Sequence, residues 1–389
     1  MRHGQYTVTR REVHQWALSR LTAHLRLPDF SPRCPAETVL SVVLLAAARL
    51  CSIFAAAGRL LAVPSAETIR RALAAALPDR EELERRLNRA LTADLPRSLI
   101  GTRQPLACDL TLRPYHGRYH TDPAEVYRGK AKGGTSHFHA YATAYVTCHG
   151  RRFTLALTWV TRGEPLEEVV RRLLLRVGRI GIRVRYLLLD RGFSTVGVIR
   201  SLQAARRPFL MPLPLRGRTA DHPEGPSGSR VFQYARRSGW GTYTLASRTR
   251  TATVRVCVKC RNYAGQWGRR GRQRLVYAFW RLEPPGYDWV RESYRRRFAI
   301  ETSYRQMNQA RIHTSTRNPG VRLLFIGIAL ILRNVWVWLH WQVLSQPRRG
   351  GRLIRLEQLR LQAMLLWLLH AIEAEYVPWD EAVIERPIP

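Results

Sequence analysis

The chain has 389 residues, 46% of them hydrophobic, so it can hold two or three domains and bury a sizeable core. Against 28 acidic residues stand 64 basic ones, and the formal net charge of +36 is spread along the whole chain. Such a field favours a polyanionic partner, with nucleic acid first, because cations that displace counterions supply much of the backbone affinity. The six scattered cysteines exclude a disulfide framework.

Two short motifs suggest a zinc site and a membrane helix, and the sequence around each favours a simpler role. Cys257 and Cys260 have the spacing of zinc ligands, but they lie in an alternating, strand-like stretch and no second pair follows. The apolar run at 323–332 ends at Arg333 after half of the ~20 residues that a membrane span needs, so it predicts a buried helix. The N-terminus lacks the apolar stretch of a signal peptide, and we expect a soluble, intracellular protein.

Residues 1–103 are predicted to be a helical, DNA-binding region. Pro64 ends one helical segment, Ser65 is a good N-cap, and the next helix carries Arg70 and Arg71 in its first turns. A short break followed by a basic helix suits a helix-turn-helix DNA reader, and a plain helical hairpin fits the same pattern. Both interpretations stay open.

A mixed α/β core is predicted over residues 104–213. Three β-rich runs are followed by a helix, a strand, a second helix and a further strand. Short β-like runs and tryptophans mark residues 214–287 as a β-rich insertion. A helix at 288–315 is predicted to complete the core, and residues 316–389 to form a helical C-terminal region.

Two aspartates stand directly after apolar, strand-like runs: Asp109 follows "PLAC" and Asp190 follows "YLLL". In open α/β sheets, functional sites assemble where strands end. A buried carboxylate needs a partner, because desolvating it alone is costly. Each aspartate alone also fits a structural ion pair, with Arg191 as a candidate partner of Asp190.

One glutamate, Glu301, lies in the arginine-rich stretch "SYRRRFAIETSYRQMNQA". In an α-helix it would share one polar stripe with Tyr294, Arg297, Arg305 and Asn308. A solvated helix face with i,i+4 ion pairs, each contributing about 0.2–0.5 kcal/mol, would produce the same pattern. Two strand-end aspartates together with this glutamate are harder to explain as separate structural ion pairs.

These residues resemble the DDE-class insertion-sequence transposases, whose signature is Tyr-x2-Arg-x3-Glu-x6-Lys. Tyr294, Arg297 and Glu301 match the first positions of that signature, while the lysine position holds Asn308. "LLLDRGF" resembles the family's second-aspartate motif, and "CDLT" with the following "YHG" and "GKAKGGTSHFHAYATAYV" resembles its first-aspartate region. The resemblance covers residues 104–340.

The resemblance implies a ribonuclease-H-like core in which Asp109, Asp190 and Glu301 are the catalytic residues and hold two Mg²⁺ ions, with Mn²⁺ as an alternative. Such ions activate a water molecule and stabilise the leaving oxygen of a phosphodiester, and they prefer carboxylate oxygens. The implied function is cut-and-paste DNA transposition. The enzyme would bind the ends of its mobile element, cleave a strand with water, and let the freed 3′-hydroxyl attack target DNA.

The same resemblance implies DNA contacts. Tyr294 and Arg297 would hold phosphates beside the scissile bond, with Arg305 or Arg311 in place of the lysine that is missing at Asn308. The remaining candidate DNA-binding residues are Arg70, Arg71, Lys130, Lys132, Trp240 and Trp267. The tryptophans would either stack a displaced base or form the core of the insertion, and the two lysines would either contact DNA or lie in a solvated hairpin.

Double-stranded DNA, as element ends and as target, is the expected partner, and a homodimer is expected because two ends must be held together. The expected location is cytoplasmic, on the nucleoid of a prokaryote, without membrane contact. Two other functions stay open: a structure-specific DNA nuclease on the same core, and a domesticated, non-catalytic DNA-binding protein. The nuclease would lack strand transfer, and the non-catalytic protein would have no need of three intact carboxylates.

Overall fold

The structure of the chain is a computed structural model that describes residues 8–148, 151–264, 270–298, 304–349 and 351–377. Contacts within it divide the chain into two compact units. Unit 1 consists of Met1–Pro96, Tyr115–Val126 and Ser303–Pro389, and unit 2 consists of Arg97–Pro114 and Tyr127–Thr302. The boundaries of the five predicted segments stay a prediction. The N-terminal and C-terminal helices belong to the same unit.

The helices and strands follow one another in an order that separates a helical start and end from a sheet-rich middle. The helices are α1 Arg10–Leu25, α2 Ala36–Arg49, α3 Ile53–Ala57, α4 Ala66–Ala76, α5 Arg80–Thr92, α6 Leu166–Arg179, α7 Val196–Ala204, α8 Tyr287–Arg295, α9 Pro319–Trp338 and α10 Leu361–Tyr376. The strands are β1 Arg103–Pro114, β2 Tyr127–Lys132, β3 Thr135–Cys148, β4 Arg151–Val160, β5 Arg183–Leu189, β6 Phe209–Pro212, β7 Gly239–Ala246, β8 Thr251–Ala264, β9 Arg270–Trp280, β10 Gln346–Arg348 and β11 Gly351–Leu353.

Helix α9 forms the core of unit 1. The Asn318 side chain caps it by accepting hydrogen bonds from the backbone N–H groups of Gly320 and Val321, and Pro319 occupies the first helical position, where no N–H is needed. With the π-helical turn that follows, the helix reaches Val343 and is long and apolar enough to cross a membrane. However, 89% of its most apolar stretch is buried inside the protein. The predicted buried helix is therefore confirmed.

Helices α9 and α5 pack closely within unit 1. A Cβ atom at Gly327 would lie 2.5 Å from Leu87 Cδ2, so any larger residue there would force the Leu87 side chain to shift. Further along α9, the buried Asn334 donates from Nδ2 to the carbonyl oxygen of Leu91, 2.9 Å away. Leu91 lies in the last turn of α5, where carbonyls have no partner within the helix, so this side chain satisfies one of them.

Helix α4 begins where the sequence predicts. The Ser65 hydroxyl accepts a hydrogen bond from the backbone N–H of Thr68 at 3.2 Å and caps the helix. The preceding helix α3 has only five residues, "IFAAA". The choice between a helix-turn-helix reader and a plain helical hairpin stays a prediction.

Unit 2 is built on one mixed sheet in the order β2-β3-β1-β5-β6-β9-β8-β7, with β4 also paired to β3. Strands β1, β5 and β6 are parallel to one another, and the other pairs are antiparallel. Helix α7 makes the crossover between β5 and β6 that parallel neighbours need, and α6 leads from β4 to β5. The predicted mixed α/β, ribonuclease-H-like fold is confirmed.

The inserted strands extend the core sheet. Strand β9 pairs with β6 from Phe209↔Trp280 to Pro212↔Tyr277, and β8 and β7 follow outward from β9. Phe209 and Phe279 are fully buried at this seam. The sequence predicts an insertion that interrupts the core. The backbone hydrogen bonds show that the inserted strands continue the same sheet. They thereby cover an edge of β6 that would otherwise be unpaired.

Replacing Asn334 with Ala is expected to lower the free energy of unfolding by about 1–3 kcal/mol, since the carbonyl of Leu91 would stay buried without its amide donor. Urea unfolding followed by circular dichroism measures the change. Gln358→Ala, which removes an exposed amide in the same unit, is the control and is expected to change stability by less than about 0.5 kcal/mol. Equal losses in both variants would contradict the capping role of Asn334.

Candidate active site

Neighbouring strands bring the two predicted aspartates side by side. Strands β1 and β5 run parallel, and their last register pair joins Cys108 to Leu189, so the next residues are Asp109, within β1, and Asp190, directly after β5. Cys108 and Leu189 are fully buried. Burial raises the pKa of the Cys108 thiol to about 12, because this part of β1 lies in the core of unit 2.

One guanidinium, that of Arg297, bridges both carboxylates. Its Nη2 lies 3.0 Å from Asp190 Oδ1, and its Nη1 lies 3.5 Å from Asp109 Oδ1. The exposed fraction of the side chain is 5% for Arg297, 13% for Asp109 and 39% for Asp190. Asp190 therefore faces solvent, while Arg297 and most of Asp109 are withdrawn from it.

Two tyrosines hold Arg297 in place. Arg297 Nε donates to Tyr294 Oη at 2.8 Å, and the guanidinium lies over the Tyr294 ring, 5.2 Å from its centroid. From β3, Tyr145 Oη donates to the backbone carbonyl of Arg297 at 2.7 Å. Burial raises the pKa of both tyrosine hydroxyls, so each remains a neutral hydrogen-bonding group. Burial by itself lowers the pKa of Arg297, but Tyr294, Asp190 and Asp109 outweigh it and raise the pKa on balance.

The segment after α8 differs from the continuous polar stripe that the sequence predicts. The α-helix ends at Arg295, and Arg296–Phe298 form a 3-10 turn. Tyr294 and Arg297 are buried, because the helix packs on the sheet with the Tyr294 ring 5.2 Å from that of Tyr277. Their predicted phosphate contacts stay a prediction.

The carboxylate pair suits a divalent metal. Carboxylate oxygens are the ligands that Mg²⁺ and Mn²⁺ prefer, and the bridging guanidinium shows that this position already favours positive charge. Within the described part of the chain, no three His, Cys, Asp or Glu residues are grouped so that they could hold a metal. Glu301, the predicted third ligand, lies outside the described residues.

An arginine-lined cleft opens beside Asp190. Its cavity volume is about 820 Å³, and its walls come from α8, β9 and the segment after β6. Among the described residues that line the cleft, the acidic residue is Asp190. The basic residues are Arg191, Arg261, Arg274, Arg291, Arg295 and Arg297. A concave basic surface that ends at a carboxylate concentrates anions where a metal would bind, and arginine forks suit phosphate oxygens.

A comparison with protein-family models matches residues 106–335 to the family described as transposase DDE domain. The matched range covers more than half of the 389 residues and includes Asp109, Asp190 and Arg297. The chain belongs to this transposase family. Its members act on DNA and use divalent metals, in agreement with the basic cleft and the carboxylate pair. No curated protein matches the chain.

Trp240 and the two lysines predicted to bind DNA lie in two parts of the transposase sheet. Trp240, on β7, stacks on Tyr287 with ring centroids 4.7 Å apart, and this contact favours a structural role in the insertion. Trp267 lies outside the described residues. Lys130 and Lys132 are exposed on β2, beside a hairpin turn whose Gly133 and Gly134 both have positive φ. DNA contacts by Trp240, Lys130 and Lys132 stay a prediction.

A second basic groove lies within unit 1. Its cavity volume is about 400 Å³, and α4 lines it with Arg70 and Arg71, opposite the residues of segment 313–318. Arg70 and Arg71 are exposed, and Arg70 pairs with Glu67 at 2.7 Å. Such an exposed pair contributes little to stability, so the guanidinium remains accessible to a phosphate.

The chain around this groove alternates between exposed and covered side chains. Arg311, His313, Ser315 and Arg317 are exposed, whereas the hydroxyl of Thr316 accepts a hydrogen bond from the backbone N–H of Asn318 at 3.3 Å. Of the predicted phosphate contacts, Arg311 belongs to this alternating segment, and Arg305 and Asn308 are exposed just before it. All of them belong to unit 1, whereas Tyr294 and Arg297 belong to unit 2.

Sequence reasoning missed Tyr145 and the cleft arginines of β8 and β9. Strand pairing carries the signal for Tyr145: Ala107 pairs with Tyr145 and Asp109 with Thr143, so Tyr145 and Asp109 share one face of the sheet. That signal becomes readable only when β1 is known to pair with β3. Arg261 and Arg274 carry no local signal, because the pairing of β9 with β6 is what places them beside the site.

A double-mutant cycle of Asp109→Asn and Arg297→Gln, measured by urea unfolding in metal-free buffer, is expected to show a stabilising coupling of about 0.5–3 kcal/mol. Asp109→Asn combined with Arg295→Gln is the control cycle, because Arg295 pairs with Glu292. The control is expected to be additive within about 0.5 kcal/mol. Additive losses in both cycles would contradict the bridge from Arg297 to Asp109.

Proposed function

We propose that this transposase binds the ends of its mobile element and carries out metal-dependent strand cleavage and strand transfer. The observation that carries the proposal is the pair Asp109 and Asp190 at the edge of the arginine-lined cleft. Phosphodiester cleavage needs a metal-binding point and a positive surface that delivers the phosphate to it. This site combines both.

Asp109 and Asp190, together with Glu301, would hold the divalent ions, with Mg²⁺ as the expected ion and Mn²⁺ as the alternative. Bound there, the metal would activate water and stabilise the leaving 3′-oxygen. No covalent protein intermediate is required, because water cuts the strand and the freed 3′-hydroxyl then attacks the target phosphodiester. The role of the protein would be to position the phosphate. The low exposure of the Arg297 and Asp109 side chains supports this role.

The cleft would hold the strand on either side of the scissile phosphate. Arg291 and Arg295 both pair with Glu292 at 3.0 Å, in exposed ion pairs that contribute little stability and can exchange for DNA phosphates. Arg274 reaches the same cleft from β9. Guanidinium groups placed on two walls would fix the strand direction, since each can grip a phosphate with two parallel hydrogen bonds.

Double-stranded DNA at the element ends would be bound by the basic groove of unit 1, through Arg70, Arg71 and the exposed residues of segment 311–317. Two ends must be held together for transposition, so the functional form would be a homodimer on DNA. Light scattering of the protein with and without an end-containing duplex measures this, and a monomer on each duplex would contradict it.

Asp109→Asn, Asp190→Asn and Glu301→Gln are each expected to slow Mg²⁺-dependent cleavage of a duplex that carries the element's terminal repeats by about 10³-fold or more. Glu283→Gln, which changes an exposed carboxylate that pairs with Arg255, is the control and is expected to retain the wild-type rate.

Cleavage that survives Asp190→Asn would contradict the metal site. Cleavage by the wild type without strand transfer would favour the nuclease function, and DNA binding without cleavage would favour the non-catalytic protein.

Arg274→Gln, Arg291→Gln and Arg71→Gln are each expected to weaken duplex binding and to reduce the slope of log affinity against log salt concentration by about one. Each loses one cation that displaces a counterion. Fluorescence anisotropy over a series of salt concentrations measures the slope. Arg255→Gln, which removes a guanidinium that lies over the Phe279 ring and pairs with Glu283, is the control. An equal loss of slope in the control would contradict a localised DNA path.

A further inference from the structure

Arg297 pairs with the same two carboxylates that would hold a metal ion. The guanidinium contacts Oδ1 of Asp109 and Oδ1 of Asp190, at 3.5 and 3.0 Å. A divalent ion bound to both aspartates would stand next to this cation. Because Arg297 and most of Asp109 are withdrawn from solvent, the repulsion between the two cations would be only partly screened there. Arg297 and the metal therefore compete for the same pair of carboxylates.

We propose that Arg297 is an internal counter-cation: it holds Asp109 and Asp190 ready in the metal-free enzyme, and metal binding releases its guanidinium to a DNA phosphate in the adjoining cleft. The inference rests on the proposed function in one respect, namely that these aspartates bind a divalent metal. It assigns to Arg297 a positioning role before the metal arrives and a phosphate contact afterwards.

The metal-free state explains why a buried cation is needed. Asp109 and Asp190 are neighbours on adjacent chain segments, Asp109 is largely withdrawn from solvent, and two carboxylates so close together repel each other. Arg297 compensates for both charges at once. The two carboxylates can thus stay side by side while no metal is bound.

The contacts of Arg297 fit a guanidinium that moves while its backbone stays in place. Tyr145 holds the backbone carbonyl, and Tyr294 Oη accepts from Nε, so neither contact depends on the aspartates. The Arg297 side chain is also part of the cleft lining. When the metal takes the carboxylates, the released cation needs a new anion, because a desolvated charge without a partner is costly. A DNA phosphate in the cleft meets that need.

This exchange couples the two ligands. Metal binding would supply a cation for the phosphate, and phosphate binding would remove a competitor of the metal, so each ligand would strengthen the binding of the other by the same factor. Arg291 and Arg295 do not serve this role in the described structure, because their ion pairs are with Glu292.

The test is a calorimetric titration of DNA-free protein with Mn²⁺, comparing the wild type with Arg297→Gln. The variant is expected to bind Mn²⁺ at least about tenfold more tightly, since it lacks a unit charge next to the ligand oxygens. Arg172→Gln is the control, because it removes a half-buried arginine of α6 that pairs with Glu164 and is not part of the cleft lining. It is expected to stay within about threefold of the wild type.

Tyr294→Phe is the second variant, in case Arg297→Gln does not fold. It removes only the hydroxyl that accepts a hydrogen bond from Arg297 Nε, and it is expected to keep the fold intact. It loosens the guanidinium, and its Mn²⁺ affinity is expected to rise about two- to fivefold. Mn²⁺ affinity equal to or weaker than that of the wild type, in whichever of the two variants folds, would overturn the inference. Absence of Mn²⁺ binding in every protein would overturn the metal assignment under the proposed function as well.

The release step has its own measurement. Anisotropy of a labelled duplex oligonucleotide, with and without Ca²⁺ as a divalent ion, is expected to show that the ion tightens DNA binding in the wild type by at least about fivefold. The same ion is expected to tighten binding clearly less in Arg297→Gln. An equal effect of Ca²⁺ in both proteins would overturn the transfer of Arg297 from the aspartates to the phosphate.

Discussion

Two like charges on neighbouring strands must be held together, and a single buried guanidinium does so in this protein. Asp109 and Asp190 are adjacent because β1 and β5 pair in parallel, and Arg297 lies against both of them. The arginine is supplied by the turn that follows α8, more than a hundred residues after Asp190 in the chain. The carboxylate pair is therefore stable in its place only after the sheet, the insertion and α8 have come together.

The continuity of the sheet places the basic cleft beside that pair. Strand β9 pairs with the core strand β6, so the arginines that β8 and β9 carry reach the edge where Asp190 emerges. The same pairing brings Tyr277 against Tyr294, which in turn holds Arg297. The insertion thus contributes to the site twice, as a wall that attracts phosphate and as the support of the bridging arginine.

Local patterns in the sequence were enough for several elements. The helix after Ser65 begins at its predicted cap, the apolar run at 323–332 is the buried helix α9, and Asp190 directly follows its apolar strand. Each follows from interactions within a few residues, such as capping and the alternation of apolar side chains. The predicted strand end at Asp109 is wrong, because β1 continues to Pro114 through its pairing with β3. The polar stripe had the same kind of local support, but Tyr294 and Arg297 are buried, since their partners belong to distant strands.

By itself, the sequence determined the class of fold, the apolar runs that precede Asp109 and Asp190, and the transposase family, because these depend on residue type and short spacing. Only the tertiary structure decided that Arg297 faces the two aspartates, that Tyr145 anchors it, and that the inserted strands continue the core sheet. Those features depend on pairing between segments far apart in the chain. The free energy of such pairing comes from burial and charge compensation, and neither leaves a periodic mark in the sequence.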